Sequence, residues 1–447
     1  MVNRSPKNTG TFAAEHSQQD DAPCARWGLL VLVVLALYTA MDRQVLGLLA
    51  EPLRRDLGLD DTQFGLMQGA GVAVFAALAG YPLAWLADRS DRRYVLAACM
   101  SCWCFALVAC AQASSFMELF AVSSLMGAAE AGVVPIAYAL IADWFGARKR
   151  QTANSIFVLF GRIGAGVMIA ASGWLVASVD DLRSWLPPAL QGAAEWRLTL
   201  MFTALPSLLI IPLLLTMPRV GTDGAGIRGR FLGLRGSKSV LEPATLVLPG
   251  ILFLVIGAAM LSAGAAAVGV FMPVLVQRLA GLTPAQAGSG LGLAALSAAL
   301  TALAVSSGLA KRNSESTAGA TGMRVAALGM VIAALAGALL VATTAVNHAL
   351  LLYACLLAGT MTAAMLLVGV LQAKAPQHAR TRFMAVFVGA AAVAAALSPI
   401  LVGAWSDAGG ATPVALARAM AFSSAPCFVG AALAFALAAK VLVSKVN

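Results

Sequence analysis

Charge is what this chain has least of. Only 11% of its 447 residues are Asp, Glu, Lys or Arg, against 60% hydrophobic residues and a mean hydropathy of +0.85. A soluble domain covers itself with roughly a quarter charged residues, so a water-facing exterior of ordinary composition is excluded. Histidine is nearly missing too: His16 lies in a polar tail, and His348 and His378 lie at the edges of apolar runs. With no catalytic constellation, His-rich site or metal cluster within an apolar run, a membrane enzyme is disfavoured and nothing calls for a metal or cofactor. The seven cysteines follow no extracellular disulfide pattern, because Cys99, Cys102, Cys104 and Cys110 share one apolar run and Cys355 and Cys427 sit in others. The Cys-x-x-Cys-x-Cys run therefore reads as apolar packing.

What the chain does have is apolar runs of 20 residues or more, the length that crosses a bilayer as a helix. Six fall near 27–49, 63–87, 94–113, 116–142, 152–178 and 198–217, and six more near 244–276, 284–310, 324–345, 348–373, 383–404 and 415–443. The expectation is an all-α integral membrane protein with twelve transmembrane helices in two pseudo-symmetric six-helix bundles. Its parts would be a tail over 1–26, bundles over 27–217 and 244–447, and a basic, glycine-rich linker over 218–243. The net charge of +10 might suggest nucleic acid, but placement decides against it: 22 of the 30 Lys and Arg fall in alternate connections and the tails. Six (Arg54, Arg55, Arg183, Arg197, Arg278, Arg418) fall on the other side, and Arg43 and Arg162 lie within spans. By the positive-inside rule both termini are cytoplasmic. The first apolar run is too long for a cleaved signal, and the Ala-rich, short-looped style points to a bacterial inner membrane.

Six plus six around a linker suggests duplication, and corresponding connections match. Arg150 precedes Phe157 by seven residues after the fourth span, as Arg380 precedes Phe387 after the tenth; Leu86-Ala87-Asp88-Arg89 corresponds to Leu309-Ala310-Lys311-Arg312. Glycine-rich stretches (Gly161, Gly164 and Gly166; Gly288, Gly290 and Gly292) mark the fifth and eighth spans as helices that approach closely across the inter-half interface, whether to slide or simply to pack.

The sequence Ala84-Trp-Leu-Ala-Asp88-Arg89-Ser-Asp91-Arg92-Arg93 between the second and third spans resembles the signature loop of the major facilitator superfamily, with Ala84 and Asp91 where that family usually has glycine. Within it, Tyr38-Thr-Ala-Met41-Asp42-Arg43-Gln44 and Gly127-Ala-Ala-Glu130-Ala131-Gly132 resemble the Spinster-like transporters over residues 35–157. The resemblance implies a cytoplasmic gate built from Asp88, Arg89, Arg92 and Arg93, joined by the basic connection Arg148 and Arg150. The same loop would also exist as a solvated one that obeys the positive-inside rule. Lys311 stands where the second-half copy often has Asp.

Ionisable residues at bilayer depth are expensive and are functional candidates by default. Asp42 and Arg43 fall in the first span, Glu130 in the fourth and Arg162 in the fifth. At about 1.5 Å per residue, Asp42 lies roughly 24 Å past Arg26 and Glu130 roughly 27 Å before Arg148, so the two acids are level. The resemblance implies that both line a central cavity. A carboxyl out of water beside a second carboxyl holds a proton more readily, and an adjacent Arg opposes this. Asp42 or Glu130 is thus the expected proton carrier, with Arg43 as counter-ion or anion anchor and Tyr38 on the same helix face. Spinster-like sequences usually carry Arg seven residues before the fourth-span Glu; here Ser123 stands there, and Arg162 is a conjectural substitute. A structural Asp42–Arg43 pair that only orients the first helix uses the same residues. The expected function is proton-coupled secondary transport of a small organic or amphiphilic anion by a monomer in the bilayer. The alternatives are proton-driven efflux of hydrophobic drugs or lysolipids, and a channel or non-transporting sensor of the same fold.

Overall fold

A computed structural model describes residues 24–145, 147–219, 249–312, 315–374 and 380–444. Most of the expected linker, 220–243, lies outside them, as do most of the N-terminal tail and residues 244–248. Twelve helices among the described residues are long and apolar enough to cross a membrane, and each coincides with one of the expected runs.

The first span is Ala25–Leu48. It gives way at Leu49 to a short helix, Ala50–Leu57, which the hydropathy pattern had hidden in the following polar stretch; Gly58, at φ +64°, ends it in the left-handed conformation that favours glycine. The second span starts at Asp61 on a capping box, in which the Asp60 side chain accepts from Gln63 N–H and the Gln63 side chain accepts from Asp60 N–H. It passes through a π-helical turn at Met67–Gly71 and continues as Val72–Arg89. The third is Arg92–Gln112, and the fourth is two helices, Phe116–Glu130 and Val133–Trp144. Pro135 has no N–H to donate back to the carbonyl of Ala131, so the ladder breaks there, directly after Glu130. The fifth and sixth spans lie within Ala147–Arg183 and Glu195–Leu215. The second half follows with Pro249–Ala280, Pro284–Arg312, Glu315–Leu339, Val346–Lys374, Arg380–Ala408 and Pro413–Ser444.

Within the first half the first span packs on the fifth, the third on the sixth and the second on the fourth; within the second half the seventh and ninth pack on the twelfth. The side on which the sixth span ends and the seventh begins is called here the linker face, and the other the far face. The halves meet along two seams. In one, the fifth and eighth spans come within backbone distance: a Cβ added to Gly173 would lie 2.9 Å from the Ala285 carbonyl, and one added to Gly292 would lie 2.8 Å from the Gly166 carbonyl. In the other, Gly65 and Gly69 of the second span lie against the Pro399 and Ala396 carbonyls of the eleventh, and Gly403 lies against Asp61. All these contacts fall between mid-depth and the far face.

Candidate functional site

Asp42 and Arg43 occupy the last two turns of the first span, and Arg162 lies in the fifth; their side chains are outside the described residues. One turn before Asp42, Tyr38 is buried, and its hydroxyl donates to the Thr203 carbonyl of the sixth span at 2.9 Å. One residue before Asp42, the Met41 carbonyl accepts from Ser172 of the fifth span at 3.4 Å, the same hydroxyl donating to Met168 at 2.7 Å. Ser172 drew no attention in the sequence because a lone serine in an apolar helix carries no pattern. Glu130 is half-buried on the last residue before the break in the fourth span. Ser123, two turns earlier, is fully buried, with its hydroxyl 4.0 Å from the Cys110 sulfur of the third span. The position that carries Arg in the resembling sequences is thus filled by a small residue at a helix–helix contact.

At the linker face the signature loop binds its own half together. Asp91 caps the third span by accepting from Arg93 N–H at 3.0 Å, and its carboxylate takes the Arg93 guanidinium, Nη2 at 2.6 Å and Nε at 3.0 and 3.1 Å. Arg93 is buried, and its Nη1 also donates to the Leu215 and Met217 carbonyls at 3.2 and 2.8 Å, where the sixth span ends and carbonyls lack helical partners. The hydrogen bonds from Arg93 hold the Asp91 carboxyl below its ordinary value of 3.8, against the opposing effect of partial burial. Arg92 pairs with Asp143 near the end of the fourth span. Arg89 stacks its guanidinium 3.8 Å over the Trp85 ring. The side chains of Asp88, Arg148 and Arg150 lie outside the described residues. Asp91, which stands where the resembling loops have glycine, is what draws Arg93 into this arrangement.

The far face holds a network in which two of its minority cations, Arg54 and Arg278, meet acids. Arg278, at the end of the seventh span, donates from Nη2 and Nη1 to the two Asp61 oxygens at 2.6 and 2.9 Å and from Nε to Glu51 at 2.6 Å. Asp61 has no exposed surface and also accepts from Ser406 Oγ at 2.6 Å and pairs with Arg54 at 3.1 Å. Asp407, at the end of the eleventh span, accepts from the N–H groups of Asp61 and Thr62 at 3.0 and 2.8 Å and from the Thr62 hydroxyl at 2.6 Å. Gln277 adds a donor to the Leu48 carbonyl at 3.0 Å. The partners across the halves lie more than 200 residues apart in sequence, where no local pattern reveals them.

Two six-helix bundles thus meet along seams of glycine, with ion pairs at both faces. Among relatives, an MFS-type efflux pump of Mycolicibacterium smegmatis is 24% identical over 300 residues, which are 66% of this chain and 64% of the pump. A gallate transporter of Pseudomonas putida is 31% identical over 189 residues, 40% of this chain and 41% of that one. The chain thus aligns with less than two thirds of the length of either relative. In three dimensions it is similar to the crystal structure of a bacterial homologue of the human lysosomal transporter Spinster in an inward-facing, unoccupied conformation. The TM-score is 0.75 and the identity 21%, covering 95% of this chain and 99% of that one. The family model described as Major Facilitator Superfamily matches residues 32–401, from within the first span to within the eleventh, and the chain, a multi-pass membrane protein resembling the Spinster-like transporters, belongs to that superfamily.

Proposed function

We propose that this protein is a proton-coupled secondary transporter of a small organic or amphiphilic anion, working by alternating access. The observation that carries the proposal is the break in the fourth span directly after Glu130, an acid that sequence spacing puts near the level of Asp42. A helix break inside the bilayer leaves backbone groups without helical partners, which is tolerated only beside protein or a water-filled cavity. Asp42 or Glu130 takes up a proton in one facing state and releases it in the other, while Arg43 neutralises the acids when the cavity is empty and holds the anion when it is full. The gallate transporter among the relatives supports an organic anion. The efflux pump supports a second reading, in which the same proton cycle expels a hydrophobic compound.

In proteoliposomes with an imposed pH gradient, Asp42→Asn should abolish gradient-driven uptake of the transported anion while counterflow exchange persists. Driven uptake at the wild-type rate would remove Asp42 from the proton path, and an absence of counterflow in the wild type would argue for a pore. To find the solute, a thermal-shift screen against aromatic acids, sugar acids, anionic lipids and drugs at two pH values should show a stabilising ligand class.

A further inference from the structure

We propose that the far-face end of the groove between the eleventh and twelfth spans binds one phospholipid whose headgroup carries a net negative charge, with Arg418 holding its phosphate. The site belongs wholly to the second half, and the inference does not depend on what the protein transports or on proton coupling. A cavity of about 270 Å³ opens there. Trp405 of the eleventh span, Gly409 and Thr412 of the turn, and Val414, Arg418 and Phe422 of the twelfth span line it.

Arg418 is a cation without a counter-ion in an apolar setting. It is exposed and has no acceptor among the described residues. Val414 and Phe422, one helical turn to either side, are exposed as well, and Val429 and Leu433 continue the apolar stripe along the span. The twelfth span packs on the seventh, ninth and eleventh, so its exposed stripe looks outward into lipid. Leu397, Leu401 and Trp405, each four residues from the next, form a second exposed stripe on the eleventh. Asp407, the nearest acid in the sequence, is turned to the second span. Its two oxygens are taken by the Asp61 and Thr62 N–H groups and the Thr62 hydroxyl. A charge on an apolar, lipid-facing surface is costly unless something pairs with it.

Depth and donors select the ligand. The twelfth helix begins at Pro413, so Arg418 lies roughly 7.5 Å along it from the far-face end, within reach of headgroups rather than at mid-bilayer. A guanidinium grips a phosphate with two parallel N–H bonds. The Trp405 indole N–H has no acceptor among the described residues. Thr412 Oγ accepts from Ala415 N–H at 3.1 Å, which leaves its own hydrogen free to donate. The lining therefore offers three donors and no acidic side chain. A headgroup ammonium would find no carboxylate there, whereas the oxygens of a net negative headgroup meet every donor. The two apolar stripes below the cavity suit acyl chains, which a free phosphate lacks.

Photo-crosslinking of the full chain in phosphatidylcholine nanodiscs tests the proposal. A trace of lipid with a diazirine on its acyl chain is added, either as phosphatidylglycerol or as phosphatidylcholine, and the labelled peptides are mapped. Peptides covering 397–426 should be labelled about tenfold more by the phosphatidylglycerol probe, the factor expected for a hydrogen bond to a charged group. Arg418→Gln should bring the two probes level, and because Arg418 is exposed the variant leaves the packed interior untouched. Arg55→Gln, which removes an exposed far-face cation of the first half, should keep the full preference. Equal labelling by both probes in the wild type would make Arg418 a side chain that merely reaches for water. A preference that survives Arg418→Gln, or is lost equally in Arg55→Gln, would be general surface charge. Either result overturns the site. Excess glycerophosphoglycerol, the headgroup without its chains, should leave the labelling in place; displacement would give the cavity to a soluble phosphate ester and overturn the lipid assignment.

Discussion

Arg93 shows how one substitution redirects a loop. With glycine at position 91 there would be no carboxylate beside the guanidinium; with Asp91 present, Arg93 is folded back, buried, and spent on two carbonyls that end the sixth span. Arg93→Ala removes the partner of Asp91 and leaves the Leu215 and Met217 carbonyls without that donor, a loss expected to cost about 2–3 kcal/mol. The measurement is the thermal midpoint of detergent-purified protein, and an unchanged midpoint would mean that the loop rearranges freely. The pH dependence follows from the depressed Asp91 carboxyl. Its stabilising effect is complete above the ordinary carboxylate value of 3.8 and is lost as pH falls through the lower folded value. The difference in midpoint between wild type and Asp91→Asn should accordingly stay flat from about pH 8 to about pH 5 and shrink only in stronger acid. A difference that already collapsed near neutrality would contradict the arrangement.

At the scale of elements, the spans were legible because a bilayer imposes one length and one composition on every crossing helix, so Ala25–Leu48 or Pro413–Ser444 follows from apolar residues alone. The short helix Ala50–Leu57 was not, since a polar segment between two spans carries no bilayer signature. The fourth span, which apolar length alone reads as one run, is fully broken, because Gly132 and the missing N–H of Pro135 act together. Glycine was legible as an interface signal in the fifth and eighth spans; Gly65, Gly69 and Gly71 cluster in the same way in the second, whereas Gly403 stands singly and matters through Asp61, about 340 residues away. The far-face ion cluster was hidden for the same reason: Asp61 and Asp407 are ordinary end-of-span charges until the fold brings them together. Gly65→Ala would drive a methyl into the Pro399 carbonyl, and overpacking of that kind costs about 1–3 kcal/mol in the arrangement that closes the far face. Gly269→Ala, whose added methyl meets nothing within 4 Å, should cost nothing. The comparison is read as thermal stability of the two variants side by side; equal midpoints would show that the second and eleventh spans are not held in this contact.

For the whole molecule, the remaining question is which compartment each face meets, and charge decides it. In the sequence, 22 of the 30 Lys and Arg fall in the tails and in the connections that alternate with those holding the other six, Arg43 and Arg162 lying within spans. Short connections rich in Lys and Arg stay on the cytoplasmic side. We therefore expect the ion cluster of Arg278 and Asp61 on the outer side of the membrane and the linker in the cytoplasm. A fluorescent-protein fusion after Ser444 should glow and a phosphatase fusion at the same point should be silent, whereas a phosphatase fused after Asp181, in the connection between the fifth and sixth spans, should be active. The reversed pattern would have a definite consequence beyond orientation. The ion cluster around Arg278 and Asp61 would then lie on the cytoplasmic side and the linker on the outer side. The order of proton and solute binding would be inverted without any change in the residues that carry it, so the topology measurement comes before any assignment of import or export.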